Sequence, residues 1–308
     1  MVNSRDSAAA PLMGASEWAM LAVLSVLWGG TFFFVALAVP EVPPLTLVLA
    51  RVALAAAALV IYIRLIGQFL PRDAKTWLVL TVMGIGNNIV PFSLIFWSQT
   101  QITSGLAAIL NATTPLFSVV FARWLSREER LTPGRLCGAF LGLAGVAVLM
   151  GGAALHGTGL AVLAQAASLT SAATYALMGF YIRRFAVTSP PVTAAGQLVC
   201  STVLMLPLAL FVDRPWLLPL PSVAALGSIV ALALFSTAMG YLLFFRILAA
   251  AGVTNIMLVT FLIPVSASLL GVLVLGEVIE LRHVAGMVLI AAGLAAIDGR
   301  IPRLSRGT

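Results

Sequence analysis

Long apolar runs, separated by short polar connections, make up most of the chain. Ten runs each hold roughly 20 mostly apolar residues, the length an α-helix needs to cross a hydrocarbon layer. They cover residues 18–39, 45–66, 76–99, 103–124, 134–152, 158–182, 191–212, 222–246, 252–275 and 281–299. The runs are too long for β-barrel strands and lack their alternation of apolar and polar residues. The pattern therefore predicts an all-α polytopic membrane protein with ten transmembrane helices.

The composition agrees with a chain that is surrounded by lipid. Of the 308 residues, 61% are hydrophobic and only 9% are charged, whereas soluble domains are about 25% charged. This composition excludes a soluble enzyme, a disordered chain and a disulfide scaffold. The net charge of +7 does not indicate nucleic-acid binding, because the basic residues lie in short connections and form no single basic face. Cys137 and Cys200 both fall inside apolar runs and indicate neither a disulfide nor a metal site.

The basic residues predict how the chain is oriented in the membrane. If the N-terminus is cytoplasmic, 14 of the 17 Lys and Arg residues fall on the cytoplasmic side, while Arg214 and Arg282 fall on the other side. Because cytoplasmic loops are enriched in Lys and Arg, both termini are predicted to be cytoplasmic. The first run lacks a basic n-region and an Ala-x-Ala cleavage site, so we interpret it as a retained helix and not as a signal peptide.

The two halves of the sequence are similar to each other. Matched residues follow one another in the same order at offsets of 147 to 149 residues: Trp28–Tyr175, Phe92–Tyr241, Pro115–Pro264, Glu128–Glu277 and Gly145–Gly293. The similarity predicts two repeats of five helices, residues 18–152 and residues 158–299. Since five is odd, the second repeat must enter the membrane inverted relative to the first. Inverted repeats are typical of secondary transporters that bind substrate near the membrane midplane.

Several short motifs accompany these repeats. They are Leu-Trp-Gly-Gly at 27–30, Arg51 early in the second span, the blocks from Pro115 to Glu128 and from Pro264 to Glu277, and the glycine series Gly138-x3-Gly142-x2-Gly145 and Gly286-x6-Gly293. With these motifs the chain resembles the EamA-type members of the drug/metabolite transporter superfamily over residues 18–298. The resemblance implies an exporter of the bacterial inner membrane that works by alternating access. It also implies a cavity lined mainly by helices 1, 3, 4, 6, 8 and 9, and substrates among amino acids, other metabolites or toxic compounds.

Uncharged polar and aromatic residues at membrane depth are the candidate substrate contacts. The polar candidates are Asn87, Asn88, Asn111, Gln165, Thr237 and Asn255, and the aromatic candidates are Trp28, Phe92, Tyr175 and Tyr241. A buried amide costs several kcal/mol in hydrocarbon unless it is hydrogen-bonded, so each bonds either a solute or another helix. The aromatic rings either bind cations and rings of a substrate or pack in the core and against lipid. Both alternatives stay open at this point.

Arg51 is the one charged residue deep in a predicted span. It lies roughly 9 Å from the outer end of the second helix, at about 1.5 Å per residue. Either its side chain snorkels outward or caps neighbouring carbonyls, or it binds the carboxylate of an amino acid or organic acid.

Two matched prolines and two glycine series predict where helices bend and pack. Pro115 and Pro264 fall in the middle of their spans, where proline kinks a helix, and each is either a hinge or a static bend. The glycine series around Gly142 and Gly293 allow close helix packing. They lie either behind the cavity in one chain or in a dimer contact, so both a monomer and a homodimer fit the sequence.

The ionisable residues restrict the mechanism. All ten carboxylates fall in tails, connections or helix ends, and proton-driven carriers commonly use buried Asp, Glu or His in their spans. We therefore expect facilitated transport, exchange, or coupling through the charge of the substrate. The chain has neither the nucleotide-binding loop Gly-x4-Gly-Lys-Ser/Thr nor a His-Glu-x-x-His motif. No cofactor and no metal are expected.

The sequence thus predicts a secondary transporter, and more narrowly an exporter, of small organic solutes with amino acids or related metabolites first. Within transport the alternative is a multidrug efflux carrier for aromatic cations, which the absence of acidic residues from the spans disfavours. A membrane enzyme is less favoured because the spans supply no nucleophile, base or metal site. A sensor is less favoured because no soluble domain fits, and a channel because matched central prolines suit a moving carrier better. The expected partners are the solute and the lipid bilayer.

Overall fold

The computed structural model describes residues 14–125, 133–150, 159–185, 188–256 and 258–298. These residues are nearly all helical. Their α-helices are α1 Ala15–Ala38, α2 Pro44–Leu65, α3 Ala74–Gly84, α4 Val90–Ser98, α5 Ser104–Asn111, α6 Thr114–Leu125, α7 Pro133–Met150, α8 Leu160–Arg184, α9 Pro190–Asp213, α10 Val223–Ala231, α11 Gly240–Ile256, α12 Val259–Leu275 and α13 Leu281–Asp298. Two π-helical segments, π1 (Ile85–Ile89) and π2 (Leu232–Met239), join α3 to α4 and α10 to α11.

Seven helical segments of the described residues are long and apolar enough to cross a membrane. They are Ala15–Ala38, Pro44–Leu65, Ala74–Ser98, Ser104–Phe121, Leu160–Ile182, Pro190–Asp213 and Val223–Ala251. Two shorter apolar segments, Leu262–Leu275 and Leu281–Gly293, follow them. Each of the ten predicted spans overlaps helical residues in the described part of the chain. The predicted class, an all-α membrane protein with several spans, is therefore confirmed.

The predicted break between the eighth and ninth spans is wrong. Residues 247–251 are helical, because α11 continues to Ile256 and α12 begins only at Val259. The segment reads Ile-Leu-Ala-Ala-Ala, and leucine and alanine are strong helix formers. Asn255 consequently falls within the range of α11 and not in the next helix. Its side chain, like the whole of Glu128, lies outside the described residues.

The fourth predicted span is interrupted just before its proline. Helix α5 ends at Asn111, and α6 begins at Thr114. Pro115 is therefore in the first turn of α6, where proline is tolerated because its missing N–H has no intrahelical partner there. The prediction that Pro115 lies in the middle of a continuous helix is wrong, whereas Pro264 does lie inside α12.

The two glycine series bring α7 and α13 of the same chain together. A Cβ atom added at Gly293 would lie 2.5 Å from the carbonyl oxygen of Gly138, and one at Gly145 would lie 2.8 Å from that of Gly286. Only glycine allows backbones to approach so closely. Of the two alternatives left open by the sequence, packing within one chain is the one that the structure shows for these glycines.

Candidate functional site

The two π-helical segments lie at matched positions in the two halves. When π1 is shifted by the 149 residues that relate Phe92 to Tyr241, it falls within π2. A π-helical turn leaves the regular hydrogen-bond pattern and is frequent at functional sites. Gly84, Gly86 and Pro91 lie in or beside π1, and glycine and proline weaken the regular helix there. Nothing in the sequence analysis predicted π2.

Asn88 of π1 is fully buried and joins the two halves. Its amide nitrogen donates to the hydroxyl of Ser201 in α9 at 3.0 Å, and its amide oxygen accepts a hydrogen bond from Tyr241 at 3.2 Å. The amide of the half-buried Asn87 donates to Gln197, also in α9, at 3.3 Å. Both amides thus bond to residues one helical turn apart on α9.

Arg51 is buried, so of the alternatives that the sequence left open, the structure contradicts the one in which its side chain snorkels outward. Its side chain is only 5% exposed, and its Nε donates to the hydroxyl of Thr237 in π2 at 2.8 Å. The guanidinium lies 3.7 Å from the centroid of the Phe92 ring, a stacking geometry that its flat, weakly hydrated group favours. Among the described residues the single salt bridge joins Arg282 to Glu280. Arg51 therefore has no carboxylate partner in that part of the chain.

Most of the candidate aromatic residues surround this polar group. Phe92 stacks on Phe96, and its repeat equivalent Tyr241 stacks on Phe245, each with ring centroids 6.2 Å apart. Both pairs and Tyr175 belong to one core cluster or pack against it. Trp28 stacks on Phe244 and packs in a neighbouring cluster, and its Nε1 lies against Gly240, which directly precedes Tyr241. The structure thus brings together Phe92, Tyr175 and Tyr241 and places Trp28 at the edge of this group.

The comparison with known proteins decides the family. The model of the EamA-like transporter family matches the chain twice, over residues 16–151 and residues 162–297. The chain belongs to the EamA-like transporter family.

Several similar proteins align with this chain over most of their own length. The uncharacterized inner membrane transporter YedA of Escherichia coli K12 is 27% identical over 277 residues, which are 88% of this chain and 85% of YedA. The uncharacterized transporter YvbV of Bacillus subtilis 168 is 26% identical over 91% of this chain and 90% of YvbV. Protein PecM of Dickeya dadantii 3937 is 27% identical over 88% of each chain. A crystal structure of a protein with 21% identity has a TM-score of 0.65 and covers 92% of this chain and 97% of its own, which shows the shared fold alone. The chain is thus a multi-pass membrane protein of the EamA transporter type.

In this EamA-like protein two further polar residues belong to the central group. Gln197 and Ser201 of α9 are 4% and 0% exposed and bond to Asn87 and Asn88. The sequence analysis missed both, since the resemblance placed the cavity on other helices. A signal was present, because the two residues are four apart and therefore share one face of an otherwise apolar helix.

Several buried polar atoms of the EamA-like fold have no hydrogen-bond partner among the described residues. They are Ser93 Oγ, both amide atoms of Gln99, Asn111 Oδ1, Gln165 Oε1, Ser171 Oγ and Ser236 Oγ. Gln165 and Ser171 lie on α8, and Ser93 and Gln99 lie on α4 or just beyond it. The Ser98–Ser168 hydrogen bond of 2.8 Å joins these two helices. Buried polar atoms are nearly always bonded to protein, water or a ligand. Gln165 and Asn111, which the sequence offered as candidates, are thus among the residues with an unpaired side-chain oxygen.

Proposed function

We propose that this protein is a secondary transporter that exports a small organic solute by alternating access. Two inverted five-helix repeats, residues 18–152 and 158–299, would rock about a central site, with both termini cytoplasmic. The observation that carries the proposal is the buried group of Arg51, Asn88, Thr237 and Tyr241. Its hydrogen bonds run from one half of the chain to the other at the two matched π-helical segments. A site of this kind changes its shape when the halves move relative to each other.

The charges of the site favour a solute that carries a carboxylate. Arg51 supplies a buried positive charge, and amides, hydroxyls and phenols supply the other polar groups. A carboxylate gains charge-assisted hydrogen bonds from a guanidinium, whereas a cation is repelled by it at short range in a medium of low dielectric constant. The Nε–H of Arg51 would keep its bond to Thr237, which orients the guanidinium, and the terminal NH2 groups would donate to the solute. An amino acid or a related metabolite fits this chemistry.

The alternative within transport is the efflux of aromatic cations. The stacked rings of Phe92, Phe96, Tyr241 and Phe245 favour it, because aromatic faces attract cations. However, Arg51 already lies over one face of Phe92. A cationic drug would therefore compete with a resident positive charge, which makes this the second candidate.

Counterflow in proteoliposomes tests the proposal. The full-length protein is loaded on the inside with one unlabelled amino acid at a time and is given the labelled form outside. We expect saturable accumulation for one group of amino acids, and no acceleration by a proton gradient. Thr237→Ala should weaken exchange because it removes the hydrogen-bond partner of Arg51. Thr170→Ala is the matched control, since the exposed Thr170 hydroxyl bonds only to a carbonyl of its own helix.

The other outcomes separate the candidates. Exchange of an aromatic cation but of no amino acid would transfer the assignment to multidrug efflux. No exchange of either class by protein with a cooperative unfolding transition would contradict the proposed function. Equal loss of exchange in the Thr237 and Thr170 variants would remove the central site from the proposal.

A further inference from the structure

Three carboxylates at one end of the helix bundle bind helix N-termini in the opposite half of the chain. Glu41, which follows α1, accepts hydrogen bonds from the backbone N–H and the hydroxyl of Ser222, at 2.6 and 2.7 Å. Asp213, the last residue of α9, accepts from the backbone N–H and the hydroxyl of Thr46, at 2.6 and 2.8 Å. These two contacts are reciprocal, because each carboxylate binds the N-terminus of the α-helix that follows the other carboxylate.

The third carboxylate repeats the arrangement between two other connections. Glu277, which follows α12, accepts from the backbone N–H groups of Ser104 and Gly105 at 2.7 and 3.1 Å. Both N–H groups belong to the first turn of α5, which has no intrahelical acceptor for them. Since successive spans run in opposite directions, the connections 39–43, 99–103, 214–222 and 276–280 all lie at one end. We call it the carboxylate end.

The chemistry makes these contacts stronger than ordinary surface hydrogen bonds. A carboxylate at a helix N-terminus accepts from unpaired N–H groups and also meets the positive end of the helix dipole. Hydrogen bonds to an ionised acceptor are about twice as strong as neutral ones. Each of the three carboxylates accepts two such bonds, and each pair ties residues more than 160 positions apart in sequence.

The opposite end of the bundle is held differently in the part of the chain that the structure describes. There the hydroxyl of Ser189 donates to the side-chain oxygen of Gln68 at 2.7 Å, a neutral and exposed bond between the halves. Asp73 also caps a helix, but it accepts from Thr76 of its own helix α3. Among the described residues, carboxylates join the two halves only at the carboxylate end.

We propose that Glu41, Asp213 and Glu277 form a latch that closes the carboxylate end, and that the transporter must release it to open its central site to that side. The inference rests on the proposed alternating access. In this conformation the latch is engaged, so the site is shielded from the carboxylate end. Releasing the three carboxylates to water shifts the population towards the state that is open at that end. In the predicted orientation this end faces away from the cytoplasm.

A thiol-labelling experiment tests the latch without any substrate. The reporter is Ser236→Cys in π2, a residue that is 1% exposed, in full-length protein that carries Cys137→Ser and Cys200→Ala. The membrane-impermeant reagent MTSET is applied to one face of the vesicles at a time. The combined variant Glu41→Gln, Asp213→Asn, Glu277→Gln is compared with Asp73→Asn. The latter is the matched control because Asp73 caps a helix within its own half.

We expect the combined variant to label at least about tenfold faster from the carboxylate end, with an unchanged rate from the other face and no change in Asp73→Asn. An unchanged rate, or an equal rise from both faces, would overturn the latch. If the combined variant fails to fold, Glu41→Gln alone is used, since Glu41 is exposed. The labelling rate from the carboxylate end should then rise by a smaller factor. An unchanged rate in Glu41→Gln would overturn the proposal. Because labelling needs no solute, a positive result together with failed counterflow would leave the latch standing and contradict only the proposed function.

Discussion

The centre of the bundle and its carboxylate end join the same two halves by different chemistry. At the centre the hydrogen bonds are buried; the one from Tyr241 to Asn88 is neutral, and the one from Arg51 to Thr237 has a charged donor. At the carboxylate end, Glu41 is charged and exposed. Breaking a central bond leaves a polar group buried without a partner, whereas water replaces a partner that is lost at the end. The centre should therefore determine stability and solute binding, and the carboxylate end should determine which face of the protein is open.

The largest effect on stability is expected from Asn88→Leu. The substitution leaves the Tyr241 hydroxyl without its bond to Asn88, and we expect a loss of about 2–3 kcal/mol in the free energy of unfolding. The neighbouring Asn87→Leu should cost only about 1 kcal/mol, because it removes one hydrogen bond where Asn88→Leu removes two, and that bond is longer. Denaturant unfolding of both variants in detergent measures the difference. Equal losses in the free energy of unfolding would show that Asn88 contributes no more to stability than Asn87.

The next largest effect concerns solute binding by Arg51. Arg51→Leu keeps apolar volume against Phe92 but removes the charge, so the half-saturation concentration of a carboxylate solute should rise by about 10- to 100-fold, as for loss of a hydrogen bond to a charged group. Arg51→Lys keeps the charge without the planar group, so its half-saturation concentration should lie between those of the unsubstituted protein and Arg51→Leu. Saturation curves from counterflow measure the shift. An unchanged half-saturation concentration in Arg51→Leu would assign Arg51 to packing alone.

The sequence predicted the centre in part. Hydropathy located the helices, and the repeat matched Phe92 to Tyr241, because both signals are local or periodic. It missed Gln197 and Ser201 as partners because, although their spacing marks one polar face of α9, no local pattern shows which helix that face meets. Glycines and a proline marked π1, but the sequence of π2 has no comparable signal. The roles of Glu41, Asp213 and Glu277 depend on contacts between distant connections, which no local pattern contains.

A smaller effect is expected at the carboxylate end from a single half-buried carboxylate. Glu277→Gln removes the charge that the two N–H groups of α5 bind, and the loss in unfolding free energy should be about 1 kcal/mol. Glu277→Gln should nevertheless raise the labelling rate from the carboxylate end more than Asn88→Leu does, because only Glu277→Gln releases a contact at that end. The rate of MTSET labelling at Ser236→Cys from each face provides the comparison. A larger one-sided increase in Asn88→Leu would reverse the roles that we assign to the two regions.

The smallest expected effect is a dependence of stability on pH that comes from the Glu41 carboxyl. The backbone N–H of Ser222, and after it the Ser222 hydroxyl, hold the pKa of the Glu41 carboxyl below its usual value of 4.5. A carboxyl with a lowered pKa in the folded state stabilises that state above its unfolded pKa, and the contribution disappears as the pH falls through the folded value. The difference in melting temperature between the unsubstituted protein and Glu41→Gln should therefore be constant from pH 7 to about 5 and vanish at lower pH. Asp73 titrates in the same direction because Thr76 lowers its pKa, so both proteins are measured with Asp73→Asn. A difference that persists unchanged to pH 3 would mean that the side chain of Glu41, and not its charge, supports the carboxylate end.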